Sequence, residues 1–556
     1  FEIDERAAQL AAFALSMKAR SYYRRFFRKG VQPKIVYLQN LTLGDEEIKS
    51  AFDQAGITLR ESLLNDLREL QTAENLGSLI LPKTNVDELQ RTIKVFEELD
   101  AKSDMFLGFA KEALLKALHQ LQKLTTKYHC IVDNPPYMGG GKMNDDLASW
   151  VKKNYKKAKA DLMVCFMERA YKQALIDGFV GMINLPSWMF LSSFEDFRKQ
   201  LLEDFQIDTL LHLGRGIFGS DFGTVAFTIK NQKPKNTKGV YRRLFKEHVQ
   251  VRSVEKIRLL FLDKNYGFYT ANQQDFKKIP GSPIGYWLSE RWFDMFIKNN
   301  SFSNYCEIVT GMSTGNNDKY LRFWSEVSFN QFYVESSELP DIDTNYWLPY
   351  NKGGDIRKWY GNNIYIVNWN EQINFHRSRP TFKDLYLKEG ITWSFVTSGM
   401  FSMRYYPKGN MWDVSGSPCV SNDINLLKYI LAFASTKIAY NILKLLNPTI
   451  NCQVVDVQRI PIKIIEDKKA IIAITNNSIS VSKKDWDSRE TSWDFIQNEL
   501  IRNKISPDLE DAYDSYKQYR TTQFFKLHRN EEELNKIFIG IYGLDEELTP
   551  EVELKD

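Results

Sequence analysis

The residues best suited to chemistry are Asn134-Pro135-Pro136-Tyr137, which stand directly after the apolar pair Ile131-Val132. An amino group on an aromatic base is a poor nucleophile, because its lone pair is delocalised into the ring. Alkylating it requires acceptors that hold both N–H bonds and draw the nitrogen towards tetrahedral geometry. The Asn134 side-chain oxygen and the Pro135 carbonyl could supply those acceptors, through orientation and electrostatics rather than as a strong base. The two prolines stiffen the loop and remove competing N–H donors. Tyr137 offers a flat face on which an extruded base could stack. The same four residues also occur in ordinary Pro-rich turns; their place after an apolar strand, read as buried, is what favours the chemical reading.

A second set lies at the start of the chain. In nucleotide-type α/β sheets, an acidic residue ending the second strand accepts hydrogen bonds from ribose hydroxyls. Glu2 is placed for this, with Ile3 able to pack against a purine. Asp4 competes with Glu2, and helix capping is its structural alternative. Asn40 could meet the edge of a bound adenine or simply terminate a strand. Phe218, in GRGIFGSDFGTVAF, could wall a base pocket, with Phe222 as the alternative and core packing as the bland role for both. Asp161 is expected to begin a helix and could border the nucleotide site that Glu2 would serve. GMSTGNNDKY (311–320) lacks the GxxxxGK[ST] spacing of a nucleotide-phosphate loop, so NTP binding there is rejected.

The elements that must position these residues follow an α/β pattern. Strands are expected at FEID, at 35–40, at the buried run 129–133, at 179–186, and near 207–213 and 223–230. Helices are expected around 46–76, 85–99, 103–127, 161–177 and 193–204. Such alternation predicts an α/β fold with a largely parallel sheet and ligands at the carboxyl ends of its strands. From 286 to 470 Trp, Tyr and Phe are frequent and long helices scarce until 423–446, which reads as a loop-rich mixed domain. From 471 onward charged helical patterns dominate, including 507–526 and 529–542.

Composition narrows the class. Lysine and arginine total 74 against 70 acidic residues, a net charge of +4 that by itself proves no nucleic-acid partner. Two clusters are denser: Lys18, Arg20, Arg24, Arg25, Arg28, Lys29 and Lys34, and then Lys152, Lys153, Lys156, Lys157 and Lys159. Both suit phosphate contacts, and both equally suit solvated surfaces. The five cysteines are scattered without CxxC spacing, which fits a reducing cytoplasm rather than a disulfide framework. The six histidines show no metal-ligand spacing, so no metal is expected. No apolar run reaches the roughly 18 residues of a membrane span. The chain opens on Phe1 inside a strand-to-helix run, so its first elements are expected to lie upstream.

The order FEIDERAAQLAAFAL, VDNPPYMGGGKMN, KADLMVCFMERA, GMINLPSWMFLSSFEDFRKQLL and TVAFTIKN resembles that of gamma-class N6-adenine methyltransferases. GMSTGNNDKYLRFWSEV, WLPYNKGGDIRKWYGN, WDSRETSWDF and LNKIFIGIYGLDEEL resemble the PglX family, the large methyltransferases of BREX phage-defence systems. Type IIG restriction-modification enzymes share several of these segments. The resemblance covers essentially the whole chain. It implies a Rossmann-like AdoMet-dependent methyltransferase domain over 1–285, a mixed α+β target-recognition domain over 286–470 and a C-terminal helical region over 471–556. It also implies S-adenosyl-L-methionine as methyl donor, double-stranded DNA as substrate, base flipping, and assembly with other BREX proteins. By position, Glu2, Ile3 and Asn40 would hold the cofactor, Asn134 to Tyr137 the target adenine, and Phe218 the pocket wall. Lys352, Arg357, Lys358, Arg377, Arg379, Lys383 and Arg404 would contact DNA. Two departures stand out: the cofactor glycine loop is absent, and Gln39-Asn40 replace an acidic residue after the third strand. Relatives also extend past the last residue, so the chain is expected to be truncated at both ends. A nuclease domain upstream would mark the type IIG alternative, and a catalytically silent DNA-recognition subunit is a further alternative.

Overall fold

The computed structural model describes residues 1–101, 104–219, 221–246, 250–339, 346–396, 401–449 and 451–554. The chain divides into two compact units, Phe1–Gln273 and Gln274–Asp556, each combining helices with sheets.

The first unit begins with helix α1 (Glu5–Tyr22), whose N-terminus is capped by Asp4 accepting from the Ala7 amide at 2.8 Å. Asp4 is thereby committed to the helix. Then follow α2 (Asp45–Gln54), α3 (Glu61–Leu70), α4 (Ala73–Leu76), α5 (Val86–Glu98) and α6 (Met105–Thr125). Helix α6 buries Leu114, Leu118 and Leu121, spaced along one face, and α2, α3 and α5 pack on it. Strand β1 (Tyr128–Asp133) leads through the diproline loop to α7 (Asp145–Asn154), α8 (Leu162–Gln173) and β2 (Ala174–Asn184). Next come α9 (Glu195–Asp204), β3 (Gln206–Arg215), β4 (Gly223–Lys230), β5 (Lys238–Arg243), α10 (Val254–Leu262) and β6 (Phe268–Asn272).

The six strands form one sheet in the order β1-β2-β4-β3-β5-β6. β1–β2 and β3–β5 are parallel, whereas β2–β4, β3–β4 and β5–β6 are antiparallel. The sheet is therefore mixed, not largely parallel. The loop from Arg215 to Gly223 is too short for a crossover helix, so β3 and β4 must run in opposite directions. The expected burial of Ile131-Val132 is corrected as well. Among the described residues β1 pairs with β2 alone, and in this chain Val132 is 88% exposed. An apolar run marks a strand, but not which of its sides is covered. The strands expected at FEID and 35–40 reduce to one parallel bridge, Glu2 with Tyr37. The helix expected over 161–177 ends at Gln173. β2 starts there and bends at Asp177, which has φ 64°, and Gly178, where a Cβ would sit 2.9 Å from the His129 carbonyl.

The second unit holds a four-stranded sheet, in the order 411–412, 347–351, 365–368, 321–323. A five-stranded sheet runs 359–360, 403–406, 390–393, 418–420, 307–308. Its core is aromatic: Tyr346, Tyr350, Trp369 and Trp412 are buried in one cluster. Helices Ile424–Ala434, Lys437–Leu446, Lys469–Asp487 and Leu509–Tyr542 belong to the same unit. The last is one continuous helix of 34 residues rather than the two expected. Just past the expected break at 527–528, Asn530 donates to Asn477 Oδ1 and Ser478 Oγ at 3.0 and 3.1 Å, so its amide braces a neighbouring helix.

Candidate active site

Asn134, exposed, follows the carboxyl end of β1, with Pro135 buried beneath it and Pro136 exposed. The Tyr137 hydroxyl lies 3.2 Å from Asn134 Oδ1 and 3.3 Å from the Ile183 carbonyl near the end of β2. One proton thus serves two acceptors, and the loop is tied across to the neighbouring parallel strand. Burial pushes the Tyr137 phenol above its ordinary pKa, so it stays a hydrogen-bond donor at neutral pH. Among the described residues no backbone amide takes up the Pro135 carbonyl.

Tyr137 meets Phe222 edge to face, with ring centroids 5.9 Å apart, and Phe222 in turn meets Phe218 at 6.3 Å. Both phenylalanines remain partly exposed, at 37% and 51%. Phe222 is therefore the ring that meets Tyr137, with Phe218 one ring further out. The order of the two could not be read from a loop in which both fit the spacing.

The loop after Tyr137 is anchored by Asp161. Its carboxylate caps α8 by accepting from Met163 N at 3.0 Å and also accepts from Met138 N at 3.2 Å. The backbone adds Leu162 N to Met138 O and Gly140 N to Ala160 O, both at 3.0 Å. Asp161 is thus a positioning residue for the corner. Asp133, immediately before Asn134, has its carboxyl raised above the ordinary pKa by burial, opposed by the Asn134 backbone N–H. A raised carboxyl pKa means that the ionised form is penalised in the folded state, a cost absent at low pH and complete above the folded pKa. Asp133→Asn should accordingly raise the melting temperature at pH 7, with the gain shrinking as the pH falls towards about 4. Thermal scans across that range test this; a gain that ignores pH would contradict it.

Glu2 is partly exposed, its carboxylate accepting from its own neighbours Ile3 N at 2.8 Å and Asp4 N at 3.2 Å. Ile3 is 45% exposed, with Cγ2 close beside Gly77. Asn40 accepts from Glu74 N at 3.0 Å and lines a cavity of about 190 Å³ with Gln39, Phe109 and Gln120. Glu74 and Asn75 share α4, and Asn75 exchanges hydrogen bonds with Asn144, the cap of α7. Asn40 and the diproline loop are therefore linked through one short helix. A partly exposed carboxylate acceptor, an exposed aliphatic side chain and an amide at a small cavity are the kinds of group that suit ribose hydroxyls and a purine.

The second unit separates the seven proposed DNA contacts. Arg404 is corrected: it is 1% exposed and donates to Ser394 Oγ, Asn351 Oδ1 and the Gly353 carbonyl. It cannot reach a phosphate from there. Lys358 is also largely enclosed and paired with Glu531 at 2.8 Å, which takes its charge out of play. Arg357 lies over Trp486 and 3.6 Å from Asp485, and Lys352 lies over Tyr365. Arg377 and Lys383 are exposed. Arg379, in a left-handed conformation with φ 62°, donates to the Gly311 carbonyl and lines a cavity of about 700 Å³ with Glu307, Gln453 and Gln458. That cavity was not legible in the sequence, because its walls come from five separate segments.

Comparison with known proteins agrees with the motif order. Residues 1–218 match the Eco57I restriction-modification methylase family. The whole chain is 34% identical to the adenine-specific methyltransferase PglX of Lacticaseibacillus casei (strain Zhang), covering 48% of that protein. It is likewise 35% identical over its full length to the adenine-specific methyltransferase BrxX of Escherichia coli O9:H4 (strain HS), covering 47% of it. The chain is thus similar along its entire length to PglX-type adenine-specific methyltransferases, and it spans about half the length of the curated relatives it matches. Among solved structures, the type IIL restriction-modification enzyme MmeI in complex with DNA gives a TM-score of 0.42 at 11% identity, over 90% of this chain and 74% of that one. No helix among the described residues is long and apolar enough to cross a membrane.

Proposed function

We propose that the intact protein transfers a methyl group from S-adenosyl-L-methionine to N6 of an adenine extruded from double-stranded DNA, marking host DNA in a BREX-type defence system. The first unit would be its Rossmann-like methyltransferase domain, and the second would carry target recognition together with the C-terminal helices. The observation that carries this reading is the diproline corner. An exposed Asn134 stands at the carboxyl end of a strand, beside Tyr137 and Phe222, in a chain similar throughout to adenine-specific methyltransferases.

The residues act by holding. Asn134 Oδ1 and the Pro135 carbonyl accept the two N6–H bonds, which localises the nitrogen lone pair without removing a proton first. Tyr137 and Phe222 provide the aromatic surfaces against which the base comes to rest. On the adenine's arrival the Tyr137 hydroxyl gives up Asn134 and keeps the Ile183 carbonyl, so no donor is stranded. Glu2 would accept the ribose hydroxyls of the cofactor, Ile3 would pack on its adenine, and Asn40 would meet its edge. When bound, the cofactor supplies a methyl group as electrophile, and the proton lost from N6 passes to solvent.

Tyr137→Ala should weaken base capture by on the order of 1–3 kcal/mol, the usual contribution of base–aromatic stacking. Fluorescence of 2-aminopurine at the target position reads this directly; unchanged fluorescence and rate would remove Tyr137 from the pocket. The function itself is tested by incubating the intact protein with cofactor labelled in the methyl group and duplex DNA, then digesting to nucleosides. Label in N6-methyl-2′-deoxyadenosine supports the reading, and label in a cytosine nucleoside or in protein refutes it.

A further inference from the structure

Five of the eight residues 152–159 are lysines, and no carboxylate occurs anywhere from 147 to 160. The fold gives this run a defined shape. Val151, Tyr155 and Ala158 are fully buried, and the Tyr155 hydroxyl donates to the Leu79 carbonyl at 2.6 Å. With those three positions pinned inward, Lys152, Lys153, Lys156, Lys157 and Lys159 are all exposed.

None of the five takes part in an ion pair among the described residues. Asp161 is held by the Met138 and Met163 amides, and Glu69, which accepts from Trp150 Nε1 at 3.2 Å, is the acid that feels Lys153. Lys152 and Lys153 complement the carboxyl end of α7. Lys156, Lys157 and Lys159 lie beyond the helix and have no such helical role. Uncompensated like charges at this density cost stability unless an anion offsets them.

The run also has an address. It ends at Ala160 and Asp161, the residues hydrogen-bonded to Met138 and Gly140 just after Tyr137. The carboxyl end of the lysine run is therefore tied to the loop that directly follows Tyr137, on a turn anchored in the core. An extruded nucleotide keeps its own and its neighbouring phosphodiesters beside such a loop.

We propose that Lys152, Lys153, Lys156, Lys157 and Lys159 form a clamp for the DNA phosphates that flank the extruded adenine. This rests on the methyltransferase reading above. The clamp adds affinity without sequence preference, since phosphate contacts carry no base information.

The test replaces all five lysines by alanine in the intact protein and, separately, all five by arginine. Binding of a fluorescent duplex is measured across salt concentrations, together with methyl transfer and melting temperature. The alanine variant should fold like the parent, because the lysines are exposed. It should bind about tenfold or more weakly at moderate salt, with a salt slope shallower by about 0.9 for each phosphate it no longer neutralises. The arginine variant should restore both. An unchanged affinity and slope in the alanine variant, while the parent methylates DNA, would overturn the clamp alone. Failure of the parent to methylate DNA would overturn the underlying reading, and the clamp with it.

Discussion

Replacing Asn134 by alanine is expected to lower the single-turnover rate of methyl transfer by about 10²–10³-fold, the usual loss when one preorganised polar group at a reacting centre is removed. Duplex affinity should stay within about threefold of the parent, because the acceptor acts most strongly on the amine as it becomes tetrahedral and not on the stacked helix. Stability should hardly change: the side chain is exposed, and its partner, the Tyr137 hydroxyl, retains the Ile183 carbonyl as an alternative. Single-turnover kinetics combined with DNA binding separate these effects. A loss of binding equal to the loss of rate would place Asn134 in DNA capture and not in chemistry.

Arg404→Ala is expected to destabilise the protein by about 3 kcal/mol, as is typical when a buried hydrogen-bonded network is opened. The guanidinium is enclosed, and burial brings its pKa down to about 10. The groups it donates to, Ser394 Oγ, Asn351 Oδ1 and the Gly353 carbonyl, are all neutral, so none offsets the buried charge. Removing it leaves those acceptors without their donor and opens a void between the strands at 347–351 and 403–406. Arg404→Met should be milder, because it fills the space without a charge to solvate. Denaturant unfolding distinguishes this from a role in DNA binding. Unchanged stability with weakened binding would return Arg404 to the DNA-facing surface.

That arginine marks the limit of what the sequence conveys. Burial at position 404 depends on Asn351, Gly353 and Ser394, which approach only when two sheets have formed; the residue type alone suggests a surface contact. Lys358 misleads for the same reason, since its partner Glu531 lies 173 positions away. The diproline corner was readable because its chemistry is local: a strand, two stiff residues and an aromatic within a few positions. Helices with a clear apolar face, such as α5 and α6, were equally readable and shifted by only one or two residues. The sheet was harder. Whether β4 runs with or against its neighbours is decided by loop lengths and partners rather than by the strand's own residues. That Phe222 rather than Phe218 packs on Tyr137 turns on ring geometry that spacing does not encode.

The most direct measurement is a structure of the intact protein bound to its cognate duplex and a non-transferring cofactor analogue. It should show an adenine out of the helix against Tyr137 and Phe222, with N6 at hydrogen-bonding distance, about 3 Å, from Asn134 Oδ1 and the Pro135 carbonyl. An adenine still stacked in the duplex, or a pocket closed by the Tyr137 hydroxyl resting on Asn134, would contradict the central claim.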